Sequence, residues 1–283
     1  EKSMYDLASP IMKAQFNLIN KPNQSIKLSV FISDRESKKK GLIKHTYNNI
    51  SIFKYNVTIK DSQYVLQIVQ ERHAKSQFNK TIIGSFIYDL SSKYSVTQID
   101  INASTKLNLD LAVFGFLQKD FIYSVYKKNS KKSKYKTNFK LSKNYLNLLK
   151  SINFLKELVS EPSNIIYPES FAKRTVSQIN QKVVSISTLD KKKITKIGLN
   201  CLLAVNQGSK REPVVMEFKK KNPKKNVDIL FVGKGVCFDT GGISIKPSGG
   251  MEDMKWDMAG AAVAVSIIKY LSHINTNFTY AGI

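Results

Sequence analysis

A chain of 283 residues, 42% of them hydrophobic, can hold two ordinary domains with cores of their own. Its net charge of +24 would draw nucleic acid or an anionic surface by counterion release and long-range steering. No apolar run approaches the ~20 residues of a membrane helix, so no membrane partner is expected. The opening residues EKSMYDLASPIMKAQF lack the zones of a secretory signal. Two cysteines, Cys201 and Cys237, are too few for a disulfide framework; both are expected reduced in the core, in a cytoplasmic or mitochondrial-matrix compartment.

In chain order, residues 26–32 and 64–69 carry β-branched and aromatic residues in rough alternation and read as strands, with another over 97–101. From Leu107 to Tyr126, apolar residues recur at spacings of three and four (Leu111, Phe114, Leu117, Phe121, Val125), which predicts a helix with one buried face. His45 and His73 have no ligand spacing and read as packing or surface residues. The lysine-rich piece 127–140 reads as a solvated loop. A helix over 144–158 stops before Glu161-Pro162, because the residue before proline avoids helical backbone.

Beyond residue 160, helix and strand alternate. Pro168 suits the first turn of a helix reaching Ile179. A strand is expected over 183–187, a short helix over 189–197 closed by Gly198, and strands over 202–205, 213–218 and 229–232. The last of these should be a buried strand. A final helix is expected over 255–271, its Ala259-Gly260-Ala261-Ala262 patch allowing close backbone packing and His273 serving as a cation at its end. This order implies a small N-terminal α/β domain over 1–143, a linking helix over 144–160, and a mostly parallel, helix-covered sheet over 161–283.

The stretch 227–260, VDILFVGKGVCFDTGGISIKPSGGMEDMKWDMAG, is the most informative. An apolar run is followed by two glycine turns, Gly233-Lys234-Gly235 and Gly241-Gly242, with Lys234, Asp239, Lys246 and Asp257 set among apolar or small residues. A lone lysine here is usually solvated, and an aspartate beside Thr-Gly-Gly usually forms a turn. Four such charges at the end of a predicted strand point instead to a catalytic or metal site, since charged groups in apolar stretches are rarely buried unpaired. Neither the phosphate-loop nor the dinucleotide-binding glycine spacing is present.

VGKGVCFDTGGISIKPSGGMEDMKWDMAGAA resembles the signature of the leucyl (cytosol) aminopeptidases, a family of two-metal exopeptidases. The segments 158–172 (LVSEPSNIIYPESFA) and 197–218 (IGLNCLLAVNQGSKREPVVMEF) are similar to family segments in the same order, with a weaker echo over 111–128. The resemblance implies that Asp239 bridges two divalent ions, Mn2+ or Zn2+, that Asp257 binds one of them, and that Lys234 is a ligand in its neutral form. It implies that Lys246 acts catalytically, polarising the scissile carbonyl, and that the substrate is a peptide with a free N-terminus. In the family an Asp-Ala-Glu-Gly-Arg segment further along completes the site, and a hexamer is expected of the complete enzyme. No Asp-x-Glu-x-Arg occurs in these 283 residues, so the chain is expected to hold half of a two-metal site, as a truncated sequence.

The charge offers the competing reading, a non-catalytic basic scaffold or a sequence-independent nucleic-acid contact. Lysines cluster at 38–40, 127–140, 191–193 and 219–225. Arginine, the residue that reads bases and clamps phosphates bidentately, is confined to Arg35, Arg72, Arg174 and Arg211. A scaffold needs none of Lys234, Asp239, Lys246 and Asp257, which favours the enzyme.

Overall fold

The computed structural model describes residues 26–33, 42–47, 50–60, 63–71, 76–127, 135–221 and 226–283. The readings of the N-terminal stretch, of Arg35, Lys38 to Lys40, Arg72 and His73, and of the lysines within 128–134 and 222–225 fall outside them. The chain divides into two compact units, Glu1–Leu146 and Asn147–Ile283.

In the first unit, strands β1 (Lys27–Ser33), β2 (Ile43–Tyr47), β3 (Ile50–Lys60), β4 (Gln63–Gln70), β5 (Gln98–Ala103) and β6 (Lys136–Thr137) form one sheet in the order β2-β3-β4-β1-β5-β6. β2, β3 and β4 pair antiparallel, whereas β4, β1, β5 and β6 pair in parallel. The alternation in β1 and β4 is a true period of two: Leu28, Val30, Ile32, Leu66 and Ile68 all face the core. They meet helices α1 (Gln77–Lys93) and α2 (Lys106–Lys119) through Ile83, Phe86, Ile87, Val113 and Phe116. The two helices cross at glycines. A Cβ at Gly84 would stand 1.9 Å from the Ala112 carbonyl oxygen, and one at Gly115 would stand 2.0 Å from that of Thr81.

Two expectations change here. The predicted helix over 107–126 ends at Lys119, and Val125 is 68% exposed, so the apolar period outruns the helix. Part of the expected solvated loop is structured: Tyr135 is buried against Tyr88 and Phe116, and β6 follows it.

The second unit takes in most of helix α3 (Lys143–Ser160), then α4 (Pro168–Gln178), β7 (Val184–Leu189), α5 (Lys191–Ile197), α6 (Asn200–Asn206), β8 (Val215–Lys220), β9 (Ile229–Phe231), a 3-10 turn (Met251–Trp256), α7 (Ala259–Ser272) and β10 (Tyr280–Gly282). α5 starts where the Asp190 carboxylate accepts from the Lys193 N–H at 2.9 Å, and it stops at Gly198 with φ +83. The sheet order is β7-β8-β10-β9. The α/β class holds, but among the described strands of this sheet only β9 and β10 pair in parallel; β8 runs antiparallel to both β7 and β10. In its pairing the expected mostly parallel sheet is not met, because β8 runs opposite to both its neighbours and makes two of the three ladders antiparallel. Residues 202–205, expected as a strand, lie in α6; a four-residue apolar run is too short to carry a period.

The core gathers Phe154, Leu158, Ile166, Val184, Phe218, Val265, Ile268 and Tyr280. β9 reaches it through Phe231 alone. Among the described strands it pairs only with β10, and Ile229 and Leu230 are 41% and 59% exposed, so the expected buried strand is largely an exposed edge. Nor are both cysteines in the core: Cys201 is exposed on α6 and Cys237 is half-buried, both as free thiols. No described helix is long and apolar enough to cross a membrane.

Candidate functional site

The site is built from the end of β9 outward. Asp228 anchors the strand: its carboxylate accepts from the Thr279 N–H at 2.6 Å and from the Thr279 hydroxyl at 2.8 Å, beside the start of β10. At the other end the Gly233 N–H donates to the Ile283 carbonyl at 2.9 Å. The chain then presses onto the first turn of α7. A Cβ at Gly233 would lie 2.6 Å from the Ala261 Cα, and the Ala261 N–H donates to the Lys234 carbonyl at 2.8 Å. The small-residue patch of α7 thus permits the close backbone approach its composition suggests, and it brings Lys234 beside Asp257.

Lys234 Nζ lies 2.6 Å from Asp257 Oδ1. The other oxygen of that carboxylate, Oδ2, is buried with no hydrogen-bond partner. Asp257 sits between the 3-10 turn and α7, not inside one long helix as expected, because the helical run breaks there into 251–256 and 259–272.

The second pair occupies the glycine loop. The Lys246 N–H donates to the Thr240 carbonyl at 2.8 Å, closing residues 240–246 into a ring, and Gly241, Gly242 and Gly250 take φ of +86, +74 and +82. Across this ring Lys246 Nζ meets Asp239 Oδ2 at 2.5 Å, while Asp239 Oδ1 accepts from the Gly241 N–H at 2.9 Å. The Lys246 ammonium, then the Gly241 N–H, hold the Asp239 carboxyl below its ordinary range, and the Lys234 charge adds to this through space.

The four residues singled out in the sequence therefore meet as two lysine–carboxylate pairs. The turn reading of an aspartate beside Thr-Gly-Gly is seen as well, since the Gly241 amide orients Asp239. One contact had not been anticipated: the Met254 sulfur stands 3.1 Å from Lys246 Nζ. The Asx-type contact was legible in Asp-Thr-Gly, but nothing in the spacing of Lys246 and Met254 foretold theirs. Burial, with the charge of Glu169 adding to it, pushes the nearby Cys237 thiol up to about 11, so it is no thiolate nucleophile at neutral pH.

Among the described residues no three His, Cys, Asp or Glu side chains gather as a ready metal cluster. What fits a cation is narrower: the buried, unpartnered oxygen of Asp257, a second carboxylate in Asp239, and an amine in Lys234 that can act as a donor once it has lost its proton.

Fold and site together define an α/β protein whose second unit carries a charged loop between a sheet edge and a helix start. Residues 153–283 match the cytosol aminopeptidase family, catalytic domain. Over 118 residues it is 49% identical to a probable cytosol aminopeptidase of Nitrobacter winogradskyi, covering 41% of this chain and 23% of that protein. Over 130 residues it is 43% identical to one of Phytoplasma mali, covering 45% of this chain and 26% of that protein. The matched stretch thus spans about a quarter of these relatives.

Solved structures resemble it in fold at low identity. The bottromycin maturation enzyme BotP in complex with Mn has a TM-score of 0.65 at 16% identity, over 92% of this chain and 58% of that one. The cytosol aminopeptidase from Coxiella burnetii has a TM-score of 0.64 at 17% identity, over 93% of this chain and 58% of that one.

Proposed function

We propose that this chain carries the first part of the active site of a metal-dependent aminopeptidase, which releases N-terminal residues such as leucine from peptides. The observation that carries this reading is the pairing of Lys234 with Asp257 and of Lys246 with Asp239, with the buried Asp257 Oδ2 left without a hydrogen-bond partner, within the family-matched segment. Asp239, Asp257 and a neutral Lys234 would hold the metals. Two divalent ions, Mn2+ or Zn2+, would supply Lewis acidity toward water and an anchor for the free amine of the substrate.

The residues of the chain do the rest. Asp239 and Asp257 supply fixed negative charge. Lys246, held between Asp239 and Met254, presents an ammonium to the scissile carbonyl oxygen, where negative charge develops. Only a peptide with a free amino end satisfies such a site, which gives exopeptidase specificity. The complete enzyme would assemble as a hexamer in the cytoplasm.

Two carboxylates are few for two dications, so the 283-residue polypeptide by itself should bind metal weakly and cleave nothing. Calorimetric titration with Mn2+ should show weak uptake that Asp257→Asn and Asp239→Asn each abolish, with no leucine released from a leucyl peptide. Uptake unchanged in both variants would overturn the assignment of the metal ligands, whereas peptide cleavage by the purified chain would overturn the half-site reading and leave the aminopeptidase reading standing.

A further inference from the structure

The four-stranded sheet has a second exposed edge, and its chemistry differs from that of β9. Between residues 182 and 221 the sequence carries ten Lys or Arg and three Asp or Glu. Among the described strands β7 is the outer one, paired only with β8. At its N-terminal end stand Lys182, Lys219 and Lys221, all exposed: Lys219 lies opposite Ser185, and the Lys221 N–H donates to the Val183 carbonyl at 2.8 Å. At its C-terminal end α5 presents Lys191, Lys193 and Lys196, also exposed, with Lys193 Nζ 3.4 Å from the Thr188 carbonyl.

The acids of this stretch offset little of that charge. The Asp190 carboxylate caps α5, and Glu212 lies 3.8 Å from Lys191, both exposed. Glu217, opposite Ser187 and half-buried, is the acid that lies on the strand face itself.

We infer that this edge binds the phosphodiester backbone of nucleic acid without reading its sequence. Six strand residues span about 20 Å, so two lysine clusters stand one strand length apart. A duplex presents a charge about every 1.7 Å, so such a span covers several phosphates at once. Between the clusters the exposed strand residues are Ser185, Ser187 and Thr188, hydroxyl side chains of the kind that contact phosphate and sugar. A lipid surface would ask for several large apolar residues among the cations; β7 exposes none, and on α5 Ile197 alone is exposed, beyond Lys196 at the helix end. Lysine point charges track a backbone and do not fork onto bases. The inference is independent of the peptidase reading and needs none of Lys234, Asp239, Lys246 or Asp257.

The test is fluorescence anisotropy of the 283-residue chain on two unrelated duplexes of about 20 base pairs, from about 50 to 200 mM salt. Both duplexes should bind alike, with affinity falling steeply as salt rises. Replacing Lys191, Lys193, Lys219 and Lys221 together by Gln should shrink that salt-dependent loss by roughly 100-fold, since each phosphate contact contributes about 0.9 to the logarithmic slope. Glu217→Gln should tighten binding at low salt. A control replacing exposed Lys44, Lys136, Lys140 and Lys143 of the first unit should leave the slope unchanged.

The inference fails if the β7-edge variant keeps the parent slope while still folded by circular dichroism. It fails also if the control abolishes binding, or if phosphatidylserine vesicles are bound under conditions where neither duplex is.

Discussion

The two units use similar apolar strands to different ends. In the first, the central strands β1 and β4 are paired on both sides, and their inward residues are almost fully removed from water, Val30 and Leu66 at 0% exposure. In the second, β9 reads as the more apolar strand, yet it lies at an edge with Leu230 59% exposed. Burial follows from what a strand pairs with and what covers it; an apolar run only makes a strand competent for it. The difference also separates roles. The covered sheet is a stability element, while the exposed edge of the other delivers the charged loop.

Core truncation should break this symmetry most visibly. Leu66→Ala removes a fully buried side chain and should cost about 2–5 kcal/mol in urea unfolding of the first unit. Leu230→Ala, on the exposed edge, should shift stability by less than about 0.5 kcal/mol. Equal losses at the two positions would mean that β9 is buried in solution and that its edge character is wrong.

A smaller effect is expected where each unit brings two backbones together at a glycine. Gly84→Ala gains up to ~1 kcal/mol of helix propensity but drives its new methyl to 1.9 Å from a carbonyl oxygen, which forces α1 and α2 apart. The clash should win, with a net loss of about 1–3 kcal/mol in thermal unfolding. Gly233→Ala meets the Ala261 Cα at 2.6 Å and should cost a similar amount. In the second unit, however, the shift also moves Lys234 away from Asp257, so the weak metal uptake should be lost with it. A Gly233→Ala protein that takes up Mn2+ normally would separate the close approach from the site.

How much of this was legible beforehand depends on whether the signal is local. β1, β4, β5, α4 and the end of α5 at Gly198 follow from alternation, a proline and a glycine, all carried within a few residues. α1 was missed although Ile82, Ile83, Phe86 and Ile87 have helical spacing, because its β-branched and aromatic residues resemble strand composition. The period that overextended α2 continues through Phe121 and Val125, but beyond Lys119 the chain leaves the helix and Val125 has nothing to bury against. Strand direction in the second sheet could not be read, since β8 is reversed against partners on both sides and one of them, β10, comes from some fifty residues beyond β9. The site shows the same division. Composition and glycines named Lys234, Asp239, Lys246 and Asp257. Which lysine meets which carboxylate depends on a loop closed by Lys246 and Thr240 and on the approach of α7, and neither is visible in spacing.

The smallest expected effect contrasts the two described histidines. His273 ends α7 with Nδ1 2.8 Å from the Lys269 carbonyl and 3.0 Å from the Ser272 hydroxyl, polar partners that suit a helix end. His45, on edge strand β2, instead stacks on Phe53 at 4.6 Å and leans on Phe86 at 5.0 Å. Burial in this aromatic setting depresses its pKa below the ordinary value. The charge of Asp89 on α1, itself paired with Lys119 at 2.5 Å, opposes the shift without cancelling it. The fold therefore prefers neutral imidazole, while the unfolded chain binds a proton near pH 6.5. Below about pH 6.5 the unfolded state gains protons first, so stability falls as pH drops toward the depressed folded value and then levels off. Most carboxylates titrate lower, near pH 4, which leaves a window of about pH 5 to 6.5 in which this loss should show. Urea midpoints of the first unit should decline across that window in the parent chain and stay flat in His45→Phe, which keeps the ring packing and removes the proton site. An equal decline in both proteins would assign the effect to another group and leave His45 as an ordinary packing residue.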